Sequence, residues 1–272
     1  MKSCIIFGNC QCSGIRLFLK LSNFYEKYEL IQYANWELIN TNNNNLSIPI
    51  NQIKNADLII YQPLSDVYNC YSTNKNNPSS FFQFLKKDCI TISFPRIHNN
   101  ALFPIFHKTN SKNIFYGKYT NNIDNLDELN YLYDNDLLDY DFENRLYKNY
   151  NISKQKEENC DVKIIDFIYS NLSKKKCFLT QDHPTSFVFN EVTRQIANLL
   201  NLEYDYEKGL KMDENITGLI DSVYARNTCQ YPISRYALYF FNFEYVEKED
   251  DDADLFYKNI TIDYFNLSKK SE

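Results

Sequence analysis

The sequence predicts an α/β protein: a three-layer sandwich with a mainly parallel sheet, a helical insertion in the middle and a small C-terminal β extension. Three observations lead to this fold class. Short apolar runs alternate with amphipathic stretches in the first half of the chain, and the runs are continuous, which is typical of strands buried on both faces. Residues 125–150 contain neither Gly nor Pro, which favours helices. Aromatic and aliphatic residues crowd together near residue 240, which favours strands.

Four strands are expected in the first half of the chain, and three of them stop at a residue that interrupts strands. The first breaks at Gly8, the third ends before Pro63, and the fourth ends before Pro95. The expected strands cover residues 3–7, 28–33, 56–61 and 89–94. Helices are expected over residues 13–24 and 80–87, while residues 48–55 form either a short helix or an irregular connection.

The second half contains the insertion and the expected extension. Helices are predicted within residues 125–150, at 161–171 and at 186–202, with a short strand at 177–180. Residues 236–246 are predicted as a strand, with a partner strand at 259–267 after an acidic turn at 247–252. We therefore expect a catalytic domain over residues 1–210, with the helical insertion at about 120–160, and an extension over residues 211–272 packed on the same domain.

Composition excludes several functional classes. The 272 residues include 29 Lys and Arg against 35 Asp and Glu, and the net charge of −6 argues against nucleic acid as a partner. No stretch approaches the roughly 18 apolar residues of a membrane span, and the first apolar run is too short for a signal peptide. The eight cysteines include no Cys-x-x-Cys pair, so we expect neither a metal site nor a disulfide framework, but reduced thiols in the cytoplasm. Homo-oligomerisation stays open.

The turn after the first strand carries the clearest chemical signal. It leads from Gly8 into a helix, so its backbone N–H groups and the positive helix end suit an oxyanion or a phosphate. Cys10 at such a position has its thiolate stabilised, and Asn9 and Gln11 offer amide donors for a tetrahedral oxyanion. In the alternative interpretation Gly8 permits the turn, Asn9 caps the helix and Cys10 is simply buried.

His183 is the candidate base. It follows a predicted strand and precedes a helix, so it lies at the strand ends where α/β proteins bind ligands, as Cys10 does. Asp182 or another carboxylate would orient the imidazole. Alternatively, His183 is a helix cap or a surface residue. Arg96 follows another strand end, where it would either clamp a phosphate or form a surface salt bridge.

These residues resemble a known family. Gly8-Asn9-Cys10-Gln11 directly after an N-terminal strand is similar to the WcbI-type family of capsular polysaccharide biosynthesis proteins. The segments Tyr61-Gln62-Pro63-Leu64-Ser65 and His183-Pro184-Thr185 resemble that family's other signatures. The resemblance covers roughly residues 1–105 and 160–205. The topology also resembles that of SGNH hydrolases, with cysteine in place of serine, although the Asp-x-x-His spacing of those enzymes is absent.

The resemblance implies an acyltransferase that moves an acetyl or similar group from a coenzyme A thioester to a hydroxyl of a surface polysaccharide or its sugar precursor. Either Cys10 takes the acyl group with His183 as base, or His183 deprotonates the sugar hydroxyl while Asn9 and Gln11 hold the oxyanion. The alternatives are an SGNH-like esterase or thioesterase acting on acylated glycan, and a non-catalytic glycan-pathway binding protein. The residues expected to contact coenzyme A are Gly8, Ser13, Gln62, Ser65, Arg96 and Thr185.

Overall fold

Four parallel strands form the centre of the structure, a computed structural model that describes residues 1–41, 45–103, 123–213, 230–246 and 251–269. The strands are β1 (Lys2–Gly8), β2 (Tyr28–Ala34), β3 (Leu58–Tyr61) and β4 (Ile90–Ser93), in the order β2-β1-β3-β4. All three pairings are parallel. The four strands predicted in the first half of the chain are therefore confirmed.

The register brings the carboxyl ends of the four strands to one edge. Gly8 lies beside Ala34, Phe7 lies beside both Tyr33 and Tyr61, and Tyr61 lies beside Ser93. Strand β1 has β2 on one side and β3 on the other, so the connections leave β1 in opposite directions. Such a switch point opens a crevice at the carboxyl edge of a parallel sheet.

Both faces of the sheet are buried. Ile5, Phe7 and Ile59 on one face belong to an apolar cluster that includes Ile53 and Phe81 from the connections. The residues that alternate with them along the strands are fully buried as well, as strands covered on both faces require. These residues are Cys4, Ile6, Leu58 and Ile60. The result is the expected three-layer α/β arrangement.

The connections of the first half are short helices. They are α1 (Gln11–Phe18), α2 (Phe24–Lys27), α3 (Asn35–Thr41) and α4 (Ile50–Asn55), with 3₁₀ turns at Leu19–Leu21, Asp66–Tyr71 and Phe81–Phe84. The single helix expected over residues 13–24 is divided, because the chain tightens after Phe18 and becomes extended at Ser22. The helix expected at 80–87 is a short 3₁₀ turn begun by the Ser80 cap.

The second half supplies the insertion and the remaining helices. These are α5 (Leu126–Asp134), α6 (Phe142–Glu157), α7 (Ile165–Asn171), α8 (Ser186–Leu199) and α9 (Tyr206–Asp213). Two short strands, β5 (Phe178–Thr180) and β6 (His183–Pro184), lie outside the four-stranded sheet. The predicted helices of this half and the strand at 177–180 are thus observed, each with shifted ends.

The predicted C-terminal β extension is wrong. In the described part of that region the chain forms two helices, α10 (Arg235–Phe241) and α11 (Asp251–Lys269). The Ser234 hydroxyl accepts a hydrogen bond from the Ala237 N–H at 3.1 Å, which caps α10 and starts a helix in a segment whose aromatic residues favour strands. Most of the expected acidic turn, residues 247–250, lies outside the described residues.

The chain forms two compact units. The first contains the sheet and comprises Met1–Ile97, Ser153–Tyr169 and His183–Thr228; the second comprises His98–Ile152, Ser170–Asp182 and Cys229–Glu272. In the second unit Arg235 bonds to Asp136 and Asp254 at 2.7 Å each and lies over the Tyr133 ring, which joins α5, α10 and α11. The division at residue 210 stays a prediction.

Candidate active site

A cavity of about 410 Å³ opens at the carboxyl edge of the sheet, within the first unit. Its lining includes a residue from behind each strand: Asn9 after β1, Asn35 after β2, Gln62 after β3 and Arg96 after β4. The remaining lining residues are Trp36, Ile39, Asn40, Pro63, Leu64 and Tyr68. The cavity therefore lies at the switch point of the sheet, where a ligand is expected.

Two buried glutamines hold the turn that follows β1. Gln62 Oε1 accepts from the Asn9 N–H at 2.8 Å, and Gln62 Nε2 donates to Gln11 Oε1 at 2.9 Å. Gln11 in turn donates to the Ile97 carbonyl at 2.6 Å and accepts from the Ile97 N–H at 3.1 Å. Gln11 is 0% exposed and Gln62 is 3% exposed. These contacts fix the turn relative to the segments that follow β3 and β4.

Position 8 needs a glycine because there is no room for a Cβ atom, and not because the backbone angle is unusual. A Cβ atom at Gly8 would lie 2.7 Å from Cys12 Sγ and 2.9 Å from Gln62 Oε1. Among the described residues no glycine has a positive φ angle. The turn therefore runs so close to Gln62 that only glycine fits, and this proximity lets Gln62 reach the Asn9 N–H.

Cys10 lies at the N-cap of α1 and is partly exposed. Its neighbour Cys12 is fully buried, and burial raises the pKa of the Cys12 thiol far above its ordinary range. Burial likewise raises the pKa of the Cys4 thiol. Of the three cysteines in and around the turn, Cys10 is the one that a substrate can approach. Among the seven cysteines that the structure describes, none forms a disulfide.

Helices α1 and α8 run in the same direction, which brings His183 to the end of the unit where Cys10 lies. Gly14 in α1 and Phe189 in α8 pack directly on one another, each a few residues after its helix start. Beyond the opposite ends, the Asp205 N–H donates to the Leu21 carbonyl at 2.9 Å. The two helix starts therefore share one end. His183 lies two residues before Thr185, the buried N-cap of α8.

Three other predicted site residues of the first unit follow strands of the sheet: Ser13 after β1, Ser65 after β3 and Arg96 after β4. The Ser13 hydroxyl accepts from Gln32 Nε2 at 3.0 Å, and Ser65 is exposed just before a 3₁₀ turn. Arg96 is exposed and lines the cavity. Asp182, considered as an orienting carboxylate for His183, pairs in the second unit with His98, with 2.8 Å between Nδ1 and Oδ1.

Five cavity residues were missed by sequence reasoning: four in α3, Asn35, Trp36, Ile39 and Asn40, and one after β3, Tyr68. Asn35 and Trp36 directly follow β2, so the argument that selected the residues after β1, β3 and β4 applies to them equally. Trp36 is also the single tryptophan of the chain, and it is 53% exposed. Tyr68 had no such signal, because its position depends on the path of the loop after β3.

The described residues give no sign of a metal site or a membrane span. They contain no group of three or more His, Cys, Asp or Glu side chains arranged to hold a metal ion. Within the same described ranges, no helix combines the length and the apolar character that a bilayer crossing requires.

Comparisons with known proteins agree on one family. A family model described as "Polysaccharide biosynthesis enzyme WcbI" matches residues 3–205. A solved structure is similar to the chain with a TM-score of 0.58 and 16% identity, covering 98% of this chain and 97% of that one. It is described as WcbI, a novel polysaccharide biosynthesis enzyme, as native protein without a disulfide bond between coenzyme A and a cysteine. The comparison with curated proteins finds no match.

Proposed function

The chain belongs to the WcbI family of polysaccharide biosynthesis enzymes, and we propose that it transfers an acyl group from a coenzyme A thioester to a sugar hydroxyl. The acyl group that we propose is an acetyl group. The acceptor is a capsular or other surface polysaccharide or its sugar precursor. The reaction takes place in the cytoplasm, where thiols such as those of this chain stay reduced.

One observation carries the proposal. The partly exposed thiol of Cys10 lies at the start of α1, and helix α8, which His183 precedes, starts at the same end of the unit. Cys10 follows Asn9, which lines the cavity. Coenzyme A and a cysteine are named together in the description of the similar structure, and this supports Cys10 as the thiol that meets the thioester. We therefore assign the acyl-transfer centre to Cys10 and His183.

In the first route Cys10 carries the acyl group. His183 accepts the proton of the Cys10 thiol, and the thiolate attacks the thioester carbonyl. The carbon–sulfur bond to coenzyme A then breaks, and coenzyme A leaves as a thiol with the proton from His183. His183 then accepts the proton of the acceptor hydroxyl as the oxygen attacks the acyl-enzyme. The new ester forms, the bond to Cys10 breaks, and the Cys10 thiol is restored by the proton from His183.

In the second route Cys10 forms no bond. His183 takes the proton of the acceptor hydroxyl, and the oxygen attacks the thioester carbonyl directly. When the tetrahedral intermediate collapses, the carbon–sulfur bond breaks and coenzyme A leaves as a thiol with the proton from His183. The tetrahedral oxyanion is held by the side-chain amide of Asn9, which donates through Nδ2 while its Oδ1 accepts from the Gln11 N–H at 3.0 Å. Gln11 itself acts as a positioning residue in both routes, since its buried amide holds Ile97 and Gln62.

The residues proposed to contact coenzyme A divide into two groups. Ser13 lies in α1 near its start, Ser65 lies directly before a 3₁₀ turn and Thr185 is the N-cap of α8, where hydroxyl and backbone N–H donors suit phosphate and amide oxygens. Gly8 and Gln62 act indirectly, because one leaves room for the turn and the other bonds to it. Arg96 lines the cavity and stays a proposed contact of a coenzyme A phosphate.

Coenzyme A binding and the Cys10→Ala variant test the proposal. Titration calorimetry should show saturable binding of coenzyme A to the full chain. With acetyl coenzyme A and a sugar acceptor, Cys10→Ala should lower the rate about a thousandfold or more if the thiolate attacks, and less than about tenfold in the direct route. His183→Gln should cost about 100-fold to 10,000-fold in either route. An acetyl adduct on Cys10 in the intact mass distinguishes the routes.

Cys12→Ala is the matched control, since this buried thiol lies two residues from Cys10 and takes part in neither route. Its rate should stay within a few-fold of the parent protein. Absence of coenzyme A binding at millimolar concentration contradicts the proposal. Rapid hydrolysis of acetyl coenzyme A or of short acyl esters, unchanged by any sugar, assigns the site to a hydrolase instead.

A further inference from the structure

The side chain of Asn35 is a buried amide whose hydrogen-bonding groups are left unsatisfied. Asn35 is 8% exposed, and its amide forms no hydrogen bond within the part of the chain that the structure describes. Buried amides without partners are unfavourable and uncommon in proteins. Asn35 lines the cavity at the sheet edge, and neither polar atom of its amide is fully enclosed by protein. A ligand in the cavity would therefore supply the partners that the protein does not.

The register of the sheet places Asn35 next to the proposed transfer centre. Gly8 and Ala34 are the last paired residues of β1 and β2, so Asn9 and Asn35 follow the same rung of the sheet. Both asparagines line the cavity, and Cys10 follows Asn9 directly. A ligand that bonds to Asn35 therefore lies beside the turn that carries Cys10.

The polar groups that the cavity offers such a ligand are neutral. The Asn40 amide and the Tyr68 hydroxyl also line it and form no hydrogen bond with a described residue. Arg96 already has an interaction partner and is assigned above to coenzyme A, so amides and a phenol remain for a second ligand. An amide both donates and accepts hydrogen bonds, as a hydroxyl group does, whereas an ionised carboxylate only accepts. These neutral groups therefore match a ligand rich in hydroxyl groups.

Two aromatic rings and the size of the cavity narrow the class of ligand. Trp36 is 53% exposed and Tyr68 is 37% exposed, and both line the cavity. An aromatic ring presents a flat apolar face on which the C–H groups of a sugar ring can pack. A volume of about 410 Å³ lies at the lower end of the range for small-molecule sites. The cavity thus fits one or two sugar rings better than the pantetheine arm of coenzyme A, which contains no ring.

We infer that Asn35 binds a hydroxyl group of the acceptor, and that the part of the acceptor held in this cavity is one or two uncharged sugar rings. The inference rests on the proposed function, because it names the second substrate of the same reaction. Trp36 supplies the surface on which a ring packs, and Asn35 fixes the orientation of that ring relative to Cys10.

Trp36 makes the test direct, because it is the single tryptophan of the chain and lines the cavity. Its fluorescence, excited selectively over the tyrosines, is followed while the full chain is titrated with the methyl glycosides of D-glucose, D-mannose and D-galactose. We expect a saturable change with at least one of these neutral glycosides. Tetrahydropyran-2-methanol keeps the ring but has a single hydroxyl group, so it should bind about tenfold or more weakly.

Variants of Asn35 separate a ligand contact from a structural role. Asn35→Leu removes the amide at a similar side-chain volume, and Asn35→Ala removes it without adding atoms, so each should weaken glycoside binding about tenfold or more. The urea midpoint of Asn35→Leu should stay the same or rise, because the lost amide has no hydrogen-bond partner among the described residues. Asn51→Leu is the matched control: this exposed asparagine of α4 lies outside the cavity, so neither quantity should change.

Each remaining outcome decides the inference. No saturable change with any of the three glycosides at hundreds of millimolar, or equal binding of tetrahydropyran-2-methanol, overturns it. Unchanged glycoside affinity in the Asn35 variants overturns it as well, and a lowered midpoint in that case assigns the amide a structural role. Displacement of the glycoside by pantetheine or by adenosine 3′,5′-bisphosphate also overturns it, because the cavity then belongs to coenzyme A.

Calorimetry with coenzyme A tests the proposed function separately. Glycoside binding that depends on Asn35, without any binding of coenzyme A, refutes the transferase and keeps the cavity as a sugar site. Binding of coenzyme A without binding of any glycoside refutes the sugar site and keeps the transferase.

Discussion

At the residue scale, the site depends on two uncharged amides, Gln11 and Gln62, in a setting that tolerates few other side chains. Burying an amide is unfavourable unless its donor and acceptor are both paired. Here Gln11 bonds to both the N–H and the carbonyl of Ile97, and an ionised glutamate would lose the donation to that carbonyl. Sequence reasoning marked both glutamines as site residues. The sequence could not show whether these glutamines position the turn or contact a substrate, because the hydrogen-bond partners of Gln11 lie 51 and 86 positions away along the chain.

Gln62→Leu tests this positioning role. The substitution leaves the Asn9 N–H without the acceptor of Gln62 in a partly buried place, at a cost of about 1–3 kcal/mol, and it removes one of the two hydrogen bonds that Gln11 Oε1 accepts, at a cost of about 1 kcal/mol. We therefore expect the free energy of unfolding to fall by about 2–4 kcal/mol in urea denaturation. Gln83→Leu is the matched control: its exposed amide bonds to backbone carbonyls, water replaces those bonds, and the loss should stay below about 1 kcal/mol. Equal losses for both variants would contradict the role.

At the element scale, helices α1 and α8 are aligned by a close contact. The side of α1 at Gly14 packs against the Phe189 ring of α8, where a Cβ atom would lie 2.6 Å from the ring. This contact fixes how closely the two helices approach. It thereby sets the spacing between the helix starts that hold Cys10 and Thr185. The glycine is unfavourable for the helix itself, by about 1 kcal/mol relative to alanine.

Gly14→Ala separates helix propensity from packing. In an isolated helix alanine would stabilise, but here the added methyl group overlaps Phe189, and overpacking costs about 1–3 kcal/mol. We expect a net loss of about 1–2 kcal/mol in the free energy of unfolding, measured by urea denaturation. Phe189→Leu in the same chain should recover part of it, because the smaller side chain makes room. A stabilised Gly14→Ala protein would show that α8 moves away freely.

The elements that could be predicted from the sequence are those whose pattern is local. The four sheet strands are continuous apolar runs ended by Gly, Pro or polar residues, and such runs are buried wherever the chain places them. The C-terminal segment was mispredicted because its aromatic residues favour strands, whereas Arg235 bonds to Asp136 and Asp254 and lies over Tyr133. These partners come from distant segments, so no local pattern reveals them. The cavity residues Asn35 and Trp36 were missed because no motif marks them, although they follow β2 as Asn9 follows β1.

At the scale of the whole molecule, many groups that ionise at high pH are buried in their neutral form. Burial raises the pKa of the Cys4, Cys12, Tyr133 and Tyr204 side chains far above their ordinary values, and it raises that of Cys160 from 9.0 to about 11. The net charge of −6 becomes more negative as the pH rises, which adds repulsion. The folded state is therefore expected to be sensitive to alkali.

We expect the free energy of unfolding to fall steadily as the pH rises above about 9. The folded pKa of each buried thiol lies above its unfolded value, so the unfolded chain releases its protons first. The contribution of each buried thiol to the free energy of unfolding is thus fully present below the unfolded pKa of 9.0. It is lost as the pH rises towards and through the folded pKa, which is about 11 for Cys160. Cys160 alone contributes about 2–3 kcal/mol of this loss, at about 1.4 kcal/mol for each pKa unit.

Urea denaturation at a series of pH values from about 7 to about 11 measures this loss, and Cys160→Ala identifies its source. That variant should be less stable than the parent at neutral pH because it leaves a small cavity, yet its stability should fall less steeply above about pH 9, since one buried titrating group is gone. Val162→Ala is the matched control: this fully buried neighbour does not ionise, so it should lower the whole curve without changing its slope. A Cys160→Ala curve parallel to that of the parent protein would mean that the Cys160 thiol ionises as readily in the folded chain as in the unfolded one.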